Sequence, residues 1–93
     1  MNKTRVEGEN KGDIMLYGLS TCGWCLKTKQ LLDELGVEYD YVFVDQLTGT
    51  DRGKAVEEVS EWNPSVSFPT VVINRSTGIV GYKEAEIRKA VGK

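Results

Sequence analysis

Two cysteines three positions apart are the residues of this sequence best suited to chemistry. Cys22 and Cys25 frame the tetrapeptide Cys-Gly-Trp-Cys, and the 93 residues contain no other cysteine and no histidine. A Cys-x-x-Cys pair supports thiol–disulfide exchange, in which one sulfur attacks a disulfide and the second sulfur resolves the mixed disulfide that forms. The spacing therefore predicts a redox-active pair with two unequal members.

The segments around the pair predict how it is positioned. The apolar run over residues 14–17 predicts a buried strand, and an amphipathic helix is predicted to open near Cys22 and to stop at Gly36. Cys22 would lie at the helix N-terminus, where free N–H groups and the helix dipole stabilise a thiolate. Cys25 falls one turn further, on the apolar face, and is expected to be less exposed and to keep its proton longer. We therefore expect Cys22 to attack and Cys25 to resolve.

The remainder of the sequence predicts an α/β domain. Strands are predicted over residues 37–44, 70–73 and 79–82, a helix over residues 55–62, and a last helix around Ile87. The order over residues 14–93 is β-α-β-α-β-β-α, which gives a four-stranded mixed sheet flanked by three helices. Residues 1–13 are polar, and we expect them to form a flexible N-terminal tail.

Composition excludes several classes of function. The net charge is only −2 and charges of both signs are interspersed, so no nucleic-acid partner is expected. No apolar run is long enough for a transmembrane helix. The polar N-terminal segment lacks the apolar stretch of a signal peptide, which predicts a cytoplasmic protein. In that compartment a close cysteine pair is more often catalytic or metal-binding than structural.

Three other interpretations of the cysteine pair stay open at this point. A structural disulfide would close a loop of four residues, which stabilises a fold by only about 2 kcal/mol. A structural zinc site needs four ligands, and two cysteines without histidine do not complete the usual set. The third interpretation is a pair of inert thiols, whose spacing and placement would then be coincidental.

Three segments of the sequence resemble the glutaredoxins and the related NrdH-type redoxins of the thioredoxin superfamily. Residues 22–29 resemble the glutaredoxin active-site stretch. Residues 67–70, Ser-Phe-Pro-Thr, resemble the cis-proline segment of the superfamily, and Gly81 stands where these redoxins carry a glycine motif before the last helix. The resemblance runs in unbroken order from Asp13 to the C-terminus.

The resemblance implies a thioredoxin-like fold of glutaredoxin size and the activity of a protein-disulfide reductase and electron carrier. Cys22 matches the family's nucleophile and Cys25 its resolving thiol. Pro69 matches the cis-proline, whose role would be to expose the backbone of Phe68 to an extended substrate segment. Further residues expected to contact substrate are Trp24, Lys27, Gly81 and Tyr82.

The resemblance also implies cofactor and partners. The redox-active disulfide needs no bound cofactor and no metal, and the protein is expected to act as a monomer on protein disulfides. A reductase or a low-molecular-weight thiol would restore the dithiol; glutathione, a thioredoxin reductase and a ferredoxin-linked reductase all remain open, as do the native substrate and the reduction potential. Gly23, where common glutaredoxins carry proline, implies an alternative function, a dimer that bridges a [2Fe-2S] cluster.

Overall fold

The computed structural model describes residues 2–93, which form one sheet with helices on both faces. The strands are β1 (Thr4–Val6), β2 (Ile14–Gly18), β3 (Tyr39–Phe43), β4 (Thr70–Ile73) and β5 (Thr77–Val80). The helices are α1 (Gly23–Leu35), α2 (Gly49–Trp62) and α3 (Glu84–Ala90), with a single 3₁₀ turn over Val44–Gln46. From β2 onward the order is β-α-β-α-β-β-α, so the predicted α/β class is confirmed. Within the described residues, no helix is both long and apolar enough to cross a membrane.

The strand order brings two loops to the same end of the sheet. The strands lie in the order β1-β3-β2-β4-β5, with β2 and β3 parallel and all other neighbours antiparallel. Tyr17 near the end of β2 lies opposite Thr70 at the start of β4. The loop that follows β2 and the loop that precedes β4 are therefore neighbours, and these loops carry Cys22 and Pro69.

Two apolar clusters, one on each face of the sheet, hold the helices in place. Leu16 points into the cluster under α1 and α3, whereas its neighbour Tyr17 points into the cluster under α2. This alternation is the ordinary geometry of a strand. All four residues of β4 are buried, as expected for a central strand covered on both faces. The site-bearing ends of β2 and β4 thus rest on a packed core.

The N-terminal segment corrects two expectations. Residues 4–6 form a fifth strand that pairs antiparallel with β3, so the predicted four-stranded sheet has one strand too few and the predicted flexible tail is wrong for these residues. An ion pair holds the strand, since Arg5 Nε lies 2.6 Å from Oδ1 of the buried Asp40. Backbone contacts continue beyond it, with the Glu9 N–H donating to the Gly36 carbonyl at 2.8 Å. Residues 4–6, although mostly polar, therefore form an edge strand of the sheet beside β3.

The connections differ in detail from the predicted boundaries. The strand β5 begins at Thr77, two residues before the predicted start, because the preceding turn is tight: Asn74 and Arg75 both adopt positive φ. The helix α2 begins at Gly49, a turn and a half before the apolar positions that predicted it. Neither difference moves the ends of β2 and β4.

Asp40 provides a test of the fifth strand. Its carboxylate accepts hydrogen bonds from Arg5 and lies 3.3 Å from Lys3 Nζ. Replacing it by the isosteric amide, Asp40→Asn, should lower the free energy of unfolding at pH 7 by about 1–2 kcal/mol in urea denaturation. The matched control is Asp13→Asn, whose exposed carboxylate lies 3.6 Å from Arg75, and it should change the free energy by less than about 0.5 kcal/mol.

The pH dependence of this difference has a defined sign. The hydrogen bond from Arg5 is the main cause that holds the pKa of Asp40 below its usual value. A lowered folded-state pKa stabilises the protein above the unfolded pKa of about 3.9, and the stabilisation is lost as pH falls further. The gap between wild type and Asp40→Asn should therefore shrink below about pH 4. Equal stability of the two proteins at pH 7 would contradict the role given to this pair.

Candidate active site

Cys22 lies at the N-terminal end of α1, as the sequence predicts. It is the N-cap residue, with an extended backbone, and its carbonyl accepts the first helical hydrogen bond, from the Leu26 N–H at 3.0 Å. Its Sγ accepts a hydrogen bond from the Cys25 N–H at 3.2 Å. The residue is only partly buried. Its sulfur therefore sits among N–H groups of the first helical turn, which favour negative charge, in a residue that is partly open to solvent.

Cys25 has the opposite environment. Its residue surface is fully buried on the inner face of α1. Burial raises the pKa of the Cys25 thiol to about 12, and the neighbouring Cys22 and Asp45 act in the same direction, while a hydrogen bond with the Leu19 backbone opposes them. Both cysteines are free thiols. At neutral pH the inner sulfur therefore keeps its proton.

Gly18 makes room for the inner thiol. It is the last residue of β2 and is buried. A Cβ atom at this position would lie 3.1 Å from the Cys25 Cβ and 3.5 Å from its Sγ. The first of these distances is tighter than ordinary van der Waals contact, so a larger residue would push Cys25 out of place. The strand predicted from the sequence covers residues 14–17, and no pattern indicated that the glycine after it contacts Cys25.

Pro69 lies beside this end of the sheet, and the Phe68–Pro69 peptide bond is cis, as the resemblance implied. Pro69 is buried, and its carbonyl accepts a hydrogen bond from the Gly81 N–H at 2.8 Å. Gly81 has φ of +86°, a conformation in which a side chain is unfavourable. The bond ties the loop before α3 to the cis-proline loop. Phe68 packs its half-buried ring against the cluster under α2.

An aromatic pair borders the site on the helix side. Trp24 is 59% exposed, and its ring stacks on that of Tyr82 with centroids 5.6 Å apart. Lys27 Nζ lies 5.4 Å from the centroid of the Trp24 ring, within the range of a cation–π contact. Trp24 therefore contacts Tyr82 with one face of its ring, while much of the residue stays exposed to solvent.

Two polar residues that the sequence analysis did not single out fix the loops of the site. The Asp45 carboxylate accepts hydrogen bonds from the backbone and the hydroxyl of Ser20, which lies two residues before Cys22. These bonds are the main cause that lowers the pKa of Asp45. Asn63 donates into the loop that carries Pro69. An aspartate after a strand and an asparagine after a helix are common in loops, so their spacing carried no signal.

Metal binding gains no support from the side chains of one chain. Within residues 2–93, no group of three or more His, Cys, Asp or Glu side chains is arranged to hold a metal ion. Cys22 is the accessible thiol of the pair, because Cys25 is buried. The remaining ligands of a [2Fe-2S] cluster would have to come from other molecules.

Comparison with known proteins agrees with this geometry. The family model described as Glutaredoxin matches residues 14–77. The glutaredoxin of Methanosarcina mazei Go1 is 55% identical and superposes with a TM-score of 0.93, covering 98% of this chain and 88% of that one. The methanoredoxin of Methanosarcina acetivorans is 53% identical with a TM-score of 0.91, covering 92% of this chain and 90% of that one.

A curated plant relative is matched over a shorter region. Glutaredoxin-C1 of Arabidopsis thaliana is 30% identical over 60 residues, which are 64% of this chain and 46% of the plant protein. The chain thus spans less than half of that relative's length. The family model nevertheless covers most of the chain and includes both cysteines. The chain belongs to the glutaredoxin family of thiol–disulfide oxidoreductases.

Proposed function

We propose that the protein reduces disulfides of protein or small-molecule substrates by dithiol exchange through Cys22 and Cys25. The observation that carries the proposal is the asymmetry of the pair. One cysteine is partly exposed at a helix N-terminus, and the other is buried one turn away with its thiol pKa raised to about 12. Two-step exchange needs this division between an attacking thiolate and a protected resolving thiol.

The exchange proceeds in two balanced steps. The Cys22 thiolate attacks one sulfur of the substrate disulfide; a Cys22–substrate S–S bond forms, and the other substrate sulfur leaves as a thiolate and takes a proton. Cys25 then loses its proton as its sulfur attacks Cys22 Sγ, and the second substrate thiol is released. Two electrons have passed to the substrate, and the protein is left with a Cys22–Cys25 disulfide.

The surroundings of Cys22 support a role in binding substrate. An extended substrate segment pairs with the main chain of Phe68 beside Pro69 and lies against the exposed part of Trp24. Gly81 and Tyr82 form the far side of this surface, and Lys27 adds positive charge that favours acidic substrates. Trp24 and Tyr82 are joined by stacking and Gly81 and Pro69 by a hydrogen bond, so these groups are held in fixed relative positions.

The Cys22–Cys25 disulfide that this exchange leaves must be reduced again by a second reaction. We propose that the protein works as a monomer in the cytoplasm, where a low-molecular-weight thiol or a reductase reopens the Cys22–Cys25 disulfide. Incubating the oxidised protein separately with glutathione, a thioredoxin reductase and a ferredoxin-linked reductase, and counting the free thiols, identifies the donor.

The first test of this function separates the two cysteines. Cys22→Ser should lower kcat/KM for insulin and for bis(2-hydroxyethyl) disulfide at least about 100-fold, because Cys25 is the sole remaining sulfur nucleophile and is buried. Cys25→Ser should instead accumulate a covalent adduct between Cys22 and the substrate, seen by mass spectrometry and released by dithiothreitol. Full activity of Cys22→Ser would refute the assignment of roles.

The second test concerns protonation of the resolving thiol. In Cys22→Ser, the rate of alkylation of Cys25 by iodoacetamide should still rise at pH 10, because only the thiolate reacts and burial, the largest cause of the raised pKa, is retained. In guanidinium chloride the same variant should show a rate that levels off above about pH 8.5, the pKa of an unperturbed thiol. A folded-state profile that levels off at that same pH would show that Cys25 is not protected.

A further inference from the structure

A buried asparagine organises the loop between α2 and β4. Asn63 is 4% exposed, and its side-chain Nδ2 lies within hydrogen-bond distance of three oxygens. These are the Ser67 carbonyl at 3.0 Å, the Ser67 hydroxyl at 2.9 Å and the Thr70 hydroxyl at 3.2 Å. The fully buried Thr70 also donates its hydroxyl to the Ser67 carbonyl at 2.9 Å. The Ser67 carbonyl is thus held from inside the protein by two donors.

The backbone of the same loop is constrained as well. The Asn63 carbonyl accepts a hydrogen bond from the Val66 N–H at 2.8 Å. Val66 has φ of +50°, in the left-handed region that β-branched residues rarely adopt. A residue stays in such a conformation only where its surroundings hold it there. Asn63 supplies part of that support from both its side chain and its main chain.

The orientation of one peptide plane links Asn63 to the active site. The Ser67 carbonyl points inward, toward Asn63 and Thr70, and the Ser67–Phe68 peptide bond is trans. In a trans peptide the C=O and N–H groups point in opposite directions. The Phe68 N–H therefore points away from Asn63, and within residues 2–93 neither it nor the Phe68 carbonyl has a hydrogen-bond partner.

We propose that Asn63 is a positioning residue that presents the Phe68 main chain to disulfide substrates with a peptide backbone. The inference rests on the proposed disulfide reductase function and refines its substrate class. A substrate that adds as a strand needs donor and acceptor groups at fixed positions. A small disulfide without peptide groups needs the Cys22 sulfur and gains nothing from this alignment. Asn63 thus selects peptide disulfides over simple ones.

The experiment compares two substrates in one protein. The quantity measured is the ratio of kcat/KM for insulin to kcat/KM for bis(2-hydroxyethyl) disulfide, at a temperature where circular dichroism shows each variant to be folded. Asn63→Asp keeps the shape of the side chain but replaces the amide donor by a carboxylate, and we expect the ratio to fall about ten-fold, mainly through KM for insulin. The control is Val37→Ala, which opens a cavity in the cluster under α1 and α3, on the other face of the sheet from the cluster that Phe68 contacts, and it should leave the ratio unchanged.

If Asn63→Asp does not fold, two variants of Thr70 test the same positioning role. Thr70→Val removes the hydroxyl that holds the Ser67 carbonyl and should lower the ratio about five-fold, the factor that corresponds to one hydrogen bond of ordinary strength. Thr70→Ser retains the hydroxyl and should restore the ratio. The inference is overturned if Asn63→Asp leaves the ratio unchanged, as Val37→Ala does. Should Asn63→Asp fail to fold, the inference is overturned if Thr70→Val and Thr70→Ser give the same ratio. Failure of the wild type to reduce either substrate would instead refute the proposed function itself.

Discussion

The hydrogen bond from the Cys25 N–H to the Cys22 sulfur joins the two members of the pair at the first turn of α1. It places the outer sulfur in the N-cap position, where helix N–H groups point toward it, and leaves the inner side chain on the buried face of the helix. Because the two cysteines are three positions apart at the start of the helix, Cys22 is partly exposed to solvent and Cys25 is protected by the core. The proposed sequence of attack and resolution depends on this difference.

The rest of the fold serves to hold three loops around that helix end. The antiparallel pairing of β2 and β4 brings the cysteine loop and the proline loop together. Asp45 holds the first of these loops through Ser20, and the Gly81–Pro69 hydrogen bond holds the loop before α3. The bonds connect elements far apart in the sequence, so the site is formed before substrate binds, which is the arrangement that a precise reaction requires.

Much of this could be predicted from the sequence because apolar periodicity and the cysteine spacing are local signals. The helix that follows Cys22, its stop at Gly36 and the buried strand before it agree with their patterns. The strand β1 could not be found in this way, because the ion pair between Arg5 and Asp40 joins residues far apart in sequence and leaves no apolar alternation. The cis geometry at Pro69 followed from the resemblance to a family and not from any local pattern.

The polar residues that hold the loops of the site could not be predicted from the sequence for a related reason. Asn63 follows a helix and precedes a proline, and this pattern predicts only an ordinary helix end. The positioning role proposed for it depends on burial and on the oxygens of Ser67 and Thr70, which only the folded loop brings within reach. A single polar residue becomes informative when its surroundings are known.

The central claim is the unequal accessibility of the two thiols. The most direct measurement treats the fully reduced wild-type protein at neutral pH with limiting iodoacetamide and maps the modified peptides by mass spectrometry over time. We predict that Cys22 is modified first and that Cys25 of the folded protein is modified far more slowly than Cys22 at this pH. Modification of both thiols at similar rates, or of Cys25 first, would contradict it.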